Sequence, residues 1–148
     1  MVYLTRILTL LLFTNILESQ ELDRVAVIVN DGVVLESDIQ QRMADFKKNA
    51  TLNGEKIPSD EALREDIQEQ LITAEIQLQI ADKVGIKISD EELNLTLKRL
   101  AQQNNLEIEE FIRVVEESGD SQSELREEVR KNLKINRVQQ GRIQNKIQ

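Results

Sequence analysis

The sequence predicts a mainly α-helical domain: a short N-terminal β-hairpin followed by about five helices, the last one long and extending from the domain. Three observations predict it. Valines alternate on both sides of Asn30-Asp31-Gly32, the mark of a hairpin. From Ile39 onward apolar residues recur at helical spacing. Between those runs stand a serine cap, a C-cap glycine and two capping boxes, Ser89-Asp90-Glu91-Glu92 and Ser121-Gln122-Ser123-Glu124.

In chain order, Val25, Val27 and Val29 share one face of an extended segment. Asn30-Asp31-Gly32 tolerates positive φ, Val33-Val34-Leu35 returns as the second strand, and Ser37 offers an oxygen to cap a helix beginning near Asp38. That first helix is expected to run to about Asn49, with Ile39, Met43 and Phe46 on one stripe. A loop over 51–57 closes at Pro58, and Ser59 caps a second helix whose first turn holds Asp60 and Glu61. Leu63, Ile67, Leu71, Ala74 and Leu78 form its main stripe, beside a second one of Ile72, Ile76 and Ile80. So wide an apolar face predicts the central helix of the core. Gly85 ends it. The third helix carries Leu93, Leu97 and Leu100 and stops at Asn104-Asn105. A fourth, over about Ile108 to Glu117, is expected to bury Ile108, Phe111, Ile112 and Val115. The fifth continues with Leu125, Val129 and Leu133, then Ile135 and Val138. From Gln139 the pattern fades and Gly141 weakens helicity, so 139–148 reads as a tail or linker after a domain over 21–138.

Residues 1–20 resemble a secretory signal peptide: Arg6, then an apolar run from Ile7 to Leu17, too short for a span of roughly 20 residues. There is no A-x-A; Ser19 is the best residue at −1, and an uncleaved amphipathic anchor is the alternative. The chain has no Cys and no His, which removes Ser-His and Cys-His nucleophiles and nearly every zinc site. Paired carboxylates could still catalyse, but no pair is singled out. Glu109-Glu110, Glu116-Glu117 and Glu127-Glu128 read as solvated faces, without calcium-loop spacing. No cofactor or metal is expected. Residues 20–128 hold 26 acidic and 12 basic side chains, whereas 129–148 hold six basic and none acidic. The acidic body disfavours nucleic acid and anionic lipid. The basic end is read as cations at a helix C-terminus, where they complement the macrodipole. It has no aromatic residue to stack on bases, so no nucleic-acid partner is expected.

Four segments in order carry a family resemblance. L-D-R-V-A-V-I-V-N-D-G-V-V-L-E-S-D-I is similar to the opening of the SurA N-terminal domain, from a periplasmic chaperone family of outer-membrane protein biogenesis. I-P-S-D-E-A-L-R-E-D-I-Q-E-Q-L-I resembles its second helix; G-I-K-I-S-D-E-E-L resembles the family's G-V-K-I-S-D-E-Q-L; and A-Q-Q-N-N resembles a helix-ending A-K-Q-N-N. The resemblance implies a non-enzymatic, ATP-independent holdase in the periplasm, with unfolded outer-membrane proteins as clients. The family continues into parvulin-type prolyl isomerase domains and a C-terminal segment that packs back on the N-terminal one. This sequence stops at Gln148, about where the first parvulin domain is expected. The alternative reading is therefore the N-terminal fragment of a parvulin-type isomerase. Glu107 also stands where the family often has a threonine cap, which predicts fraying of the fourth helix.

The candidate client-binding residues are Met43, Phe46, Phe111, Val115, Leu125, Val129 and Leu133, although Met43, Phe46 and Phe111 read more readily as core. The stripe Leu125, Val129, Leu133 is expected to stand open. It would then recruit a second copy by helix exchange about Ser118-Gly119-Asp120, a partner supplying a C-terminal segment, or client.

Overall fold

The computed structural model describes residues 23–146, with side chains through residue 141; the expected signal peptide lies outside the described residues. Strands β1 (Val25–Val29) and β2 (Gly32–Leu35) precede helices α1 (Glu36–Asn53), α2 (Asp60–Lys83), α3 (Asp90–Gln103), α4 (Ile108–Glu117) and α5 (Gln122–Lys146). This is the hairpin and five helices that the sequence predicts.

The hairpin is antiparallel, pairing Val29 with Gly32, Ile28 with Val33 and Val27 with Val34. Its two-residue turn puts Asn30 at φ 52°. Between Val25 and Val27 the register shifts, leaving Ala26 as the extra residue of a bulge. The alternation therefore breaks. Val29 and Val34 are buried, but Val25, expected to face inward, is turned out to solvent.

Gly32 also differs from expectation. It lies within β2, and its missing side chain is what matters: a Cβ there would overlap the Glu75 carboxylate and come within 2.8 Å of Gln79 Nε2. The hairpin thus sits directly on α2. Gln79 Nε2 donates to the Val29 carbonyl at 2.8 Å and to Glu75 Oε1 at 2.7 Å, while Gln79 Oε1 accepts from Asn30 Nδ2 at 3.0 Å.

Helix α1 begins two residues before the expected start, so Ser37 is not its cap. Asp23 takes that role from outside the hairpin: its carboxylate accepts from the Ser37 N–H at 3.3 Å and from the Ser37 hydroxyl. A carboxylate at a helix N-terminus satisfies free N–H groups and complements the dipole. Glu36 forms a two-pronged ion pair with Arg64 of α2, at 2.5 and 2.7 Å. The hydrogen bonds from Arg64, helped by Gln40, lower the Glu36 pKa from 4.5 to about 2.

At its far end α1 runs through Asn53, four residues past the expected stop. Gly54, at φ 68°, ends it, and the Glu55 N–H returns to the Ala50 carbonyl at 2.8 Å. The same turn ends α2, with Gly85 at φ 74° and Ile86 bonded to Ala81, and α3, with Asn105 at φ 58° and Leu106 bonded to Ala101. In all three the accepting residue is a buried alanine, small enough to let the chain fold back over it.

Two apolar clusters result. Val29, Val34, Ile39, Met43, Leu63 and Ile67 join the hairpin to α1 and the first half of α2. Leu93, Leu97 and Val129 join α3 to α5, flanked by Ile88, Leu100, Ile108, Leu125 and Leu133. Helix α4 is the loosest element. None of its residues is fully buried, contrary to expectation for Ile108, Phe111, Ile112 and Val115, and Glu107 gives no side-chain cap. Helix α5 continues through Gly141 to Lys146 where a fading tail is expected. Ser121 and Glu124 form the predicted capping box at its start, with bonds of 3.2 and 2.7 Å.

Four outcomes are expected from this packing. Gly32→Ala is expected to cost no more than about 1 kcal/mol in urea unfolding, because the atoms it would meet are the ends of the flexible Glu75 and Gln79 side chains, which can move aside. The combination with Glu75→Ala should cost less than the sum, because the overlapping carboxylate is gone. Glu107→Ser should stabilise α4 locally by about 1 kcal/mol, read as slower hydrogen exchange in α4 with α2 unchanged. The Glu36 pKa is depressed, so its contribution is full above pH 4.5 and is lost as pH falls toward about 2. Unfolding of Glu36→Gln between those limits should accordingly depend less on pH than that of the parent chain.

Candidate functional site

Helix α5 decides which surfaces are free. It packs along α2 and α3, and Val129, expected in an open stripe, is only 7% exposed. Leu125 and Leu133 pack against the same cluster. The stripe is closed by α3, because α5 folds back onto the domain instead of leaving it.

Four basic side chains of α5, Arg126, Arg130, Lys134 and Arg137, reach across to neighbouring elements. Arg130 reaches Asp90 at 3.1 Å, Lys134 reaches Asp82 at 2.6 Å, and Arg137 reaches Glu92 at 2.6 Å and the Lys87 carbonyl at 2.8 Å. Glu92 is the last residue of the predicted capping box; Ser89 caps its N–H at 3.2 Å, while its carboxylate turns to Arg137. Arg126 bonds Asn94 at 2.7 Å, and Arg42 of α1 pairs with Glu128 at 3.0 Å. Each such surface pair contributes roughly 0–1 kcal/mol, so together they set the rotation of α5 more than its stability.

Of the seven nominated residues, Met43 and Val129 are buried in the two clusters. Phe111, Val115, Leu125 and Leu133 are half-buried, and Phe46 is 39% exposed. They do not form one site. The sequence reading missed the outer face of the hairpin, where the cross-strand partners Ile28 and Val33 are 74% and 45% exposed. The signal was present: alternation places both on the face opposite Val27 and Val29.

A second feature has no counterpart in the sequence reading. An open groove of about 410 Å³ lies between α2 and α5, lined by Asp66, Glu69, Gln70, Thr73, Ala74 and Gln77 from α2 and by Ile135 and Gln139 from α5. Gln77 is buried in the floor, and its side-chain carbonyl accepts from Gln139 Nε2 at 3.0 Å. Gln77 falls on the helix face between Ala74 and Ala81, so helical spacing alone could have flagged it. Among the described residues no group of three acidic side chains is arranged to hold a metal, and no helix is long and apolar enough to cross a membrane.

Comparison with known proteins bears on the whole of this structure. The family model described as SurA N-terminal domain matches residues 22–139. Chaperone SurA of Vibrio parahaemolyticus is 39% identical over 127 residues, covering 86% of this chain and 30% of its own length. Chaperone SurA of Vibrio cholerae is 38% identical over 138 residues, covering 93% and 32%. That of Shewanella frigidimarina is 33% identical over 135 residues, covering 91% and 31%. The chain thus spans about a third of the length of these curated relatives. The matched span runs from the hairpin well into α5, and the chain belongs to the SurA N-terminal domain family.

Proposed function

We propose that this domain is a non-catalytic, ATP-independent chaperone module that holds unfolded outer-membrane proteins in the periplasm. The observation that carries the reading is the family match from the hairpin well into α5, with relatives named Chaperone SurA. A holdase needs apolar contact points on a stable frame, and binding weak enough to reverse without nucleotide. Ile28 and Val33 on the outer hairpin, Phe46 on α1, and the half-buried Phe111 and Val115 on the loosely held α4 fit that need. Met43, Leu125, Val129 and Leu133 act behind them, supporting the surface from within.

A second reading has its own observation. Because the chain spans about a third of its relatives, it also fits the N-terminal part of a parvulin-type prolyl isomerase whose catalytic residues lie in other sequence. A parvulin-like reading frame directly after the Gln148 codon would support that version, and the chaperone role would then belong to one part of a larger protein.

The chaperone reading is tested by light scattering. An unfolded porin diluted from urea should aggregate less when the protein is present in near-stoichiometric amount. Ile28→Ser combined with Val33→Ser should weaken the effect without altering the helical circular dichroism. No suppression at several-fold excess would rule the reading out.

A further inference from the structure

We propose that the turn between α1 and α2 is a site of spontaneous covalent modification, where Asn53 loses its side-chain amide to attack by the Gly54 backbone nitrogen and the end of α1 loosens as a result. The site is independent of the chaperone reading above. Asn53 is the one asparagine of the sequence that precedes a glycine. Any other residue in the following position carries a Cβ that crowds the ring the reaction must close, and Gly54 carries none.

The fold leaves this dipeptide open to the reaction. Asn53 is the last residue of α1, and every residue from Thr51 to Ala62 is exposed. A Cβ built on Gly54 would meet nothing within 4 Å, so there is room around the attacking residue. The Gly54 N–H, which the attack must give up, is shared between the Ala50 and Thr51 carbonyls and stands 3.3 Å from the latter. A donor split in this way at a helix end is weakly held. Asn53 Nδ2, the leaving group, meets Glu55 Oε1 at 3.5 Å, which is long for a hydrogen bond. Three other asparagines are tied down more firmly, and each precedes a residue with a Cβ. Asn30 Nδ2 donates to Gln79 at 3.0 Å, Asn104 Nδ2 donates to the Leu100 carbonyl at 2.8 Å, and Asn94 Oδ1 accepts from Arg126 at 2.7 Å.

The chemistry needs only water. Solvent hydroxide takes the Gly54 amide proton, the nitrogen bonds to Asn53 Cγ, and the Cγ–Nδ2 bond breaks. Water returns a proton to the leaving nitrogen, which departs as ammonia. The cyclic imide then adds one water and opens at either carbonyl, giving aspartate or isoaspartate. One water is consumed and one ammonia released, with no oxidation or reduction.

Both products work against the end of α1. A carboxylate there meets the negative end of the helix dipole and the neighbouring Glu55 side chain. Isoaspartate also lengthens the main chain by one carbon. The extra carbon falls just before the Gly54 and Glu55 N–H groups that turn back to Ala50 and close the helix. The last turn loosens, while the Glu36–Arg64 pair at the opposite end of α1 is untouched.

The test incubates the folded full chain in mildly alkaline buffer and follows it by intact mass and peptide mapping. Asn53 should convert before every other asparagine, and Asn53→Gln should remove that early product. Helix ends open at free energies close to zero, so folding should slow conversion of Asn53 by no more than about tenfold relative to the chain in urea. The modified form carries one more negative charge and separates by anion exchange. Its Gly54 and Glu55 amides should exchange hydrogen several-fold faster than in the parent, with the amides of α2 unchanged. Asn53→Asp, which adds the charge without lengthening the chain, should give a smaller change of the same sign. Earlier conversion at another asparagine, or a larger slowing on folding than stated, would overturn the proposal. So would unchanged exchange at Gly54 and Glu55 in the modified form.

Discussion

Helix α2, of 24 residues and so about 36 Å long, carries the hairpin and α1 on one side and α5 on the other, and α5 in turn carries α3 and α4. Its first half buries Leu63 and Ile67 against the hairpin and α1, and its second half buries Gln77 and Ala81 near α5. One helix has to meet the first apolar cluster along one half and α5 along the other. That demand explains the width of its apolar face, and also why Ile76, between the two sets of contacts, stays partly exposed. Ile39, fully buried where α1 meets α2, marks the tightest point of the first cluster. Truncation at such a position typically costs about 2–5 kcal/mol.

The hairpin depends on that helix more than on itself. Two strands alone are marginal in water, and here the turn is held by Gln79, the close approach by Gly32, and the exit by Glu36 and Arg64. Most residues of the run N-D-G-V-V-L-E-S-D that marks the family, from Asn30 to Asp38, are therefore fixed by a local contact. Asn30 bonds Gln79, Gly32 clears Glu75, and Val34 enters the core. Glu36 binds Arg64, Ser37 meets Asp23, and Asp38 accepts from the Leu35 N–H at 3.4 Å. Ile28 and Val33 instead face outward, which leaves them available to a partner.

Two parts of the fold are held differently. Helix α5 is placed by a thin apolar seam and a line of ion pairs reaching Asp82, Asp90 and Glu92. Helix α4 has neither a fully buried residue nor a side-chain cap. Local opening is expected where apolar contacts are few, so α4 is where the domain yields first. The proposed client surface would thus combine a firm hairpin and α2 with an adaptable segment.

The sequence by itself determined the element order, the residues that end α2 and α3, and the caps of α2 and α5. These are local properties: helical spacing, side-chain oxygens at helix starts, and residues that accept positive φ act within a few positions of one another. The tertiary structure decided the rest. Asp23 displaced Ser37 as the cap of α1 because the hairpin brings Asp23 back beside the helix. The bulge at Ala26 turned Val25 outward, which alternation cannot foresee. The stripe of Leu125, Val129 and Leu133 closed, and Arg130, Lys134 and Arg137 found acidic partners, because α5 folds back along α2 and α3. The groove at Gln77 and Gln139 joins residues 62 positions apart. Periodicity shows which face of a helix is apolar, but only the packing of distant helices determines what that face meets.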